Sequence, residues 1–83
     1  MQRVVLYSRP GCHLCDVARE VLTAERAMRS FELVEIDVES DDALEREYGI
    51  RVPVVEIDGE EAFEIEVDRA GLRDLLAEPP ASG

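Results

Sequence analysis

The sequence predicts a single α/β domain with the element order βαβαββα, and three observations carry that prediction. An apolar run rich in β-branched residues, Val4-Val5-Leu6-Tyr7, is stopped by Ser8, Arg9, Pro10 and Gly11, and a helical apolar period begins at Leu14. A second run, residues 31–38, alternates apolar with acidic residues. Asp58-Gly59 then joins two further strand-like runs as a two-residue hairpin turn.

Taken in order, residues 2–7 read as a buried strand. Leu14, Val17, Ala18, Val21 and Leu22 recur at i, i+3, i+4, i+7 and i+8, one face of a helix running to about Met28 with Cys12 at its N-terminus. Residues 31–38 form the second strand, with Val34, Ile36 and Val38 on one face. The intervening helix makes the first two strands a parallel βαβ unit.

Ser40 precedes Asp41 and Asp42 as an N-cap followed by first-turn acids, opening a short helix to about Tyr48 that Gly49 ends. Residues 52–57 make the third strand, with Pro53 near its start, and residues 60–66 the fourth. Asp68 caps a last helix whose apolar face is Leu72, Leu75 and Leu76. Residues 78–83, ending in Pro79-Pro80-Ala81-Ser82-Gly83, read as a flexible C-terminal tail beyond a domain spanning residues 1–77.

At 83 residues there is room for one small core and no second domain. The net charge is −11, and all nine basic residues are arginine, so a phosphate backbone is repelled and nucleic-acid binding is disfavoured. No stretch approaches the ~20 apolar residues of a membrane span, and the apolar run after Arg3 is too short for a secretory signal. A cytoplasmic monomer that touches neither membrane nor nucleic acid is expected. In that compartment a close cysteine pair is catalytic or metal-binding more often than structural.

Cys12 and Cys15 form a C-x-x-C pair at a helix start, straight after a strand. One helical turn brings the second sulfur back within disulfide reach of the first. Cys12, at the end where unpaired N–H groups and the positive end of the dipole lie, is the exposed thiolate that attacks. Cys15, one turn in and shielded, is the resolving thiol. Two alternatives stand beside this. A zinc site needs four ligands, and the only addition nearby is His13, so a metal would require a second chain or a thiol cofactor. An inert pair of small hydrophobes is the other.

Around the pair, Arg9 either stabilises the thiolate and holds a substrate carboxylate or is a plain surface arginine. His13 either tunes the couple or is exposed filler, and Asp16 is a first-turn acid that also opposes ionisation of Cys12. A cis Val52-Pro53 bond would present the Val52 backbone to a peptide substrate beside the cysteines.

These residues resemble a family. "YSRPGCHLC" is similar to the Tyr-Ser-Lys-Pro-Gly-Cys-Pro-Tyr-Cys segment of glutaredoxins, and "YGIRVPVV" resembles the segment around the cis-proline shared by glutaredoxins and thioredoxins. The resemblance covers residues 2–77 and implies the minimal thioredoxin fold, a four-stranded mixed sheet in order 2-1-3-4 flanked by three helices. Thioredoxins proper are less similar, since there is no Trp before the cysteines and no Gly-Pro between them.

The resemblance implies a dithiol-disulfide oxidoreductase acting on protein or low-molecular-weight disulfides, with Cys12 and Cys15 catalytic and Arg9, His13, Arg51, Val52, Pro53 and Asp68 on the substrate side. No bound cofactor or metal is expected. Glutathione is a candidate co-substrate, and either the glutathione system or thioredoxin reductase is the expected reductant. Glutaredoxins carry Thr-Val-Pro where Arg51-Val52-Pro53 stands here, and a Gly-Gly pair where this chain has Ile65-Glu66-Val67-Asp68-Arg69. Only Asp68 stands in for that feature. The missing glycines, with Glu64 and Glu66, weigh against glutathione binding. An iron-sulfur or metal carrier using the cysteines across a dimer, and a non-catalytic interaction domain, are the competing functions.

Overall fold

Val4 and Leu6 of β1 (Gln2–Ser8) are buried on one side of a sheet while Val5 and Tyr7, half-buried, take the other, and this alternation organises the molecule. The computed structural model describes residues 2–67 and 69–76. After β1 come α1 (His13–Arg26), β2 (Phe31–Asp37), a 3-10 turn (Val38–Ser40), α2 (Asp42–Tyr48), β3 (Val54–Ile57), β4 (Glu60–Glu64) and α3 (Arg69–Leu76). The four-stranded sheet has the order β2-β1-β3-β4. β1 is parallel to β2 and antiparallel to β3, and β3 is antiparallel to β4, so the sheet is mixed as expected.

The core lies on one face. Val4, Leu6, Phe31, Val55 and Ile57 pack with Ala18 and Leu22 of α1 and Leu72 of α3. Each fully buried aliphatic side chain there contributes about 1.5–3 kcal/mol relative to exposure. On the opposite face Tyr48, the last residue of α2, stacks on Tyr7 with ring centroids 4.1 Å apart. The hairpin turn forms where Asp58-Gly59 marks it. Both residues have positive φ, 53° and 89°, and the Asp58 carboxylate accepts from the Arg3 backbone N–H at 2.9 Å.

Several local expectations are corrected. Buried positions on α1 are Cys15, Ala18, Leu22 and Glu25, whereas Leu14 and Val17 are exposed. The helix face is therefore turned so that Cys15, rather than Leu14, takes the inward place in the first turn. β2 uses both faces, with Phe31 buried and Leu33 half-buried against the core.

Ser40 does not cap α2. Asp37 accepts the Glu39 N–H and the Ser40 hydroxyl donates to the Asp37 carbonyl, which closes a 3-10 turn and leaves Asp41 at the N-cap without a side-chain bond. β3 starts at Val54 rather than residue 52, because Pro53 has no N–H to give and Val54 is the first residue paired with β1. β4 ends at Glu64, where Ile65 adopts φ 69° and turns the chain. In α3, Leu72 is buried and Leu76 half-buried, but Leu75 is exposed. The expected cap at Asp68 and the tail at 78–83 lie outside the described residues.

Candidate active site

Tyr7 pairs with Val54, and Val54 with Glu64, so the end of β1, the start of β3 and the end of β4 share one edge of the sheet. From β1 the chain turns through Pro10 and Gly11. Gly11 has φ 75°, and a Cβ there would meet nothing, so glycine is suited by backbone conformation rather than by space. The turn delivers Cys12 to the N-cap of α1 in extended conformation, φ −94° and ψ 111°.

At that position the Cys12 sulfur replaces the usual capping oxygen. It accepts the Cys15 backbone N–H at 3.2 Å, satisfying a donor that the helix start leaves free. Both cysteines are free thiols; Cys12 is partly exposed and Cys15 is fully buried. Burial first, then the hydrogen bond with Cys12, push the Cys15 thiol up to about 11, against an opposing pull from the Arg9 backbone N–H and the Arg19 charge.

The neighbouring charges are arranged in two groups. Arg19, one turn after Cys15, donates to both oxygens of Glu35 at 2.8 and 2.5 Å and to Asp16 at 2.8 Å. Buried Ser8 donates to the same Glu35 at 2.7 Å. The Arg19 and Ser8 donors hold the Glu35 carboxyl below its ordinary range. Asp16 is thereby tied to Arg19.

Arg51 forms the second group. Its guanidinium reaches Glu61 at 2.8 Å, Glu64 at 3.2 Å and Glu47 at 3.6 Å, donates to the Glu47 carbonyl and lies 5.4 Å from the Tyr48 ring centroid. These contacts clasp the end of α2 to β4. Arg9 is likewise occupied. Its Nη2 donates to Glu45 at 3.3 Å, while its Nε is buried with no hydrogen-bond partner among the described residues.

The remaining expected residues fall as follows. His13 is exposed as the first residue of α1. Val52 is half-buried, Pro53 is buried, and the bond between them is cis. The Pro53 and Arg51 carbonyls both accept from the Ile65 N–H, at 2.7 and 3.2 Å. Asp68 lies outside the described residues. No group of three or more His, Cys, Asp or Glu side chains that could hold a metal ion occurs among the described residues.

Sequence reasoning missed two features. Glu25 is buried on the core side of α1 and pairs with Arg29 at 3.3 Å; its place three residues after Leu22, on the apolar stripe, was the available signal. The Tyr7 and Tyr48 hydroxyls both donate to Glu56, at 3.2 and 3.0 Å. Glu56 is the one charged residue inside an otherwise apolar strand, which was the signal there.

A 2-1-3-4 mixed sheet with three helices, carrying a close cysteine pair at the start of the first helix, defines a thioredoxin-fold protein with a C-x-x-C site. Over residues 3–77 the sequence matches the model of the glutaredoxin-like domain (DUF836), and the chain belongs to that family. It is 36% identical over 80 residues to an uncharacterized protein of Mycobacterium tuberculosis, covering 90% of this chain and 82% of that one. Among solved structures it is similar to a structural-genomics target from X. campestris, with 37% identity and a TM-score of 0.75 over 93% of this chain and 99% of the other. A thioredoxin mutant from Halobacterium salinarum aligns with 26% identity and a TM-score of 0.68, over 90% of this chain and 71% of the other. Fold and cysteine pair together support a redox role. No helix among the described residues is long and apolar enough to cross a membrane.

Proposed function

We propose that the protein is a dithiol-disulfide oxidoreductase. The observation that carries this reading is the asymmetry of the pair, one sulfur at the helix N-cap and partly open, the other fully buried one turn behind it. The Cys12 thiolate attacks one sulfur of a substrate disulfide, forming a mixed disulfide and releasing the first substrate thiolate, which takes a proton from solvent. Cys15 then loses its proton and attacks the Cys12 sulfur, expelling the second substrate thiolate. Two electrons pass to the substrate, and the protein is left with a Cys12–Cys15 disulfide that an external dithiol or glutathione must reduce.

Burial of Cys15 supports the division of labour. A sulfur with no exposure does not reach a bulky disulfide, yet the Cys15 side chain hydrogen-bonds with Cys12, whose sulfur it must attack. The test supplies NADPH with either glutathione plus glutathione reductase or thioredoxin reductase, and follows NADPH consumption with a neutral disulfide as acceptor. Turnover through one of the two systems is expected. No turnover through either, with a protein that binds iron or zinc on purification, would replace this reading with the carrier reading.

A further inference from the structure

We propose that the disulfides this site acts on are carried by polypeptide segments with basic side chains beside the cysteine, and that the site discriminates against anionic glutathione disulfide. The inference rests on the oxidoreductase reading and names the substrate class of that same site.

Charge is the first argument. At the Cys12 edge of the sheet two arginines would be the natural receivers of a substrate carboxylate; both face internal carboxylates, and the Arg9 Nε, which has no partner among the described residues, is buried away from an incoming one. Arg9 donates to Glu45, and Arg51 faces Glu47, Glu61 and Glu64. One guanidinium against three carboxylates leaves the clasp net negative. An anionic tripeptide arriving at Arg51 must displace an internal carboxylate, whereas a lysine or arginine side chain gains one. The whole chain, at −11, adds a field of the same sign.

Exposed apolar side chains are the second. Leu14 and Ile65 are each 46% exposed and Ile50 is 96% exposed.

Ile65 is the most informative of these. A β-branched residue at φ 69° is a backbone outlier, pinned by its N–H bonds to the carbonyls of Arg51 and Pro53. Glycine would suit that conformation better. An exposed isoleucine held there against its preference supplies an apolar contact next to the Val52-Pro53 segment, as an extended peptide requires.

The test compares two peptides identical except for the residues flanking one cysteine, lysines in one and glutamates in the other, each carried as a mixed disulfide with 2-mercaptoethanol. Glutathione disulfide and the neutral bis(2-hydroxyethyl) disulfide serve alongside. Rates are divided by those of reduction by dithiothreitol, which removes the intrinsic reactivity of each disulfide. At low ionic strength the normalised kcat/KM is expected to favour the lysine peptide over the glutamate peptide by about tenfold, to contract toward unity in high salt, and to fall in Glu61→Gln/Glu64→Gln. Reduction of the neutral disulfide with equal normalised rates for the two peptides, or with glutathione disulfide as good as the lysine peptide, would overturn the charge selection alone. No reduction of any disulfide would overturn the oxidoreductase reading and this inference with it.

Discussion

The backbone N–H of Cys15 donates to the sulfur of Cys12 at 3.2 Å, so the Cys12 sulfur caps the Cys15 amide at the start of α1. The two cysteines are thereby unequal: one sulfur takes the helix cap, and the other is sealed behind it. This inequality gives the first prediction. Cys15→Ser should accumulate a mixed disulfide between Cys12 and substrate, visible by intact mass, whereas Cys12→Ser should trap nothing and lose turnover by about 10²-fold or more. Equal trapping by both variants would overturn the assignment.

The second concerns the resolving step. With Cys15 pushed up to about 11, chiefly by burial, its thiolate is scarce at neutral pH. Burial persists once Cys12 is in a mixed disulfide, so decay of that species should quicken about tenfold per pH unit between roughly pH 7 and 9. Rapid-quench measurement of the mixed disulfide across that range checks it; a flat profile would mean that proton loss does not limit resolution.

Alkaline stability follows from the paired tyrosines. Burial first, and then the Glu56 carboxylate that both hydroxyls face, raise Tyr7 and Tyr48 above their ordinary value. A phenol with a raised folded pKa is favoured neutral. Its contribution is therefore full below the unfolded value near pH 10 and is lost as pH climbs from there through the folded values. Tyr48→Phe should cost about 1–2 kcal/mol at pH 7 by removing one hydrogen bond to Glu56, and should lessen the fall in Tm between about pH 9 and 11. An undiminished fall would place its origin elsewhere.

Gly49 gives the last prediction. A Cβ there would lie 2.5 Å from the Glu45 backbone oxygen and 2.9 Å from Arg9 Nη2. The arginine tip can swing away, but the carbonyl cannot move without opening the end of α2. Gly49→Ala should therefore destabilise the fold by about 1–3 kcal/mol, read as a lowered denaturant midpoint at unchanged m. An unchanged midpoint would show that the α2 terminus yields freely.

Read from the chain alone, the element order was legible because each signal was local. Residues 4–7 cluster β-branched and aromatic side chains, α1 repeats at the helical period, Asp58-Gly59 tolerates positive φ, and Cys12 and Cys15 stand one helical turn apart. Spacing along a known element fixes geometry within a turn or two, so the cysteine pair and its position at a helix start needed no tertiary information.

What only the folded chain decided were the contacts between residues distant in sequence. Glu45 meets Arg9 across 36 positions, Glu56 gathers hydroxyls from β1 and α2, and Glu47, Glu61 and Glu64 converge on Arg51. Twenty acidic residues offer many partners to nine arginines, and composition does not say which pairs form. Ion pairing follows from which strand lies beside which and from where each helix ends. The charge at the Cys12 edge was therefore set by tertiary packing, although every residue contributing to it was already in view.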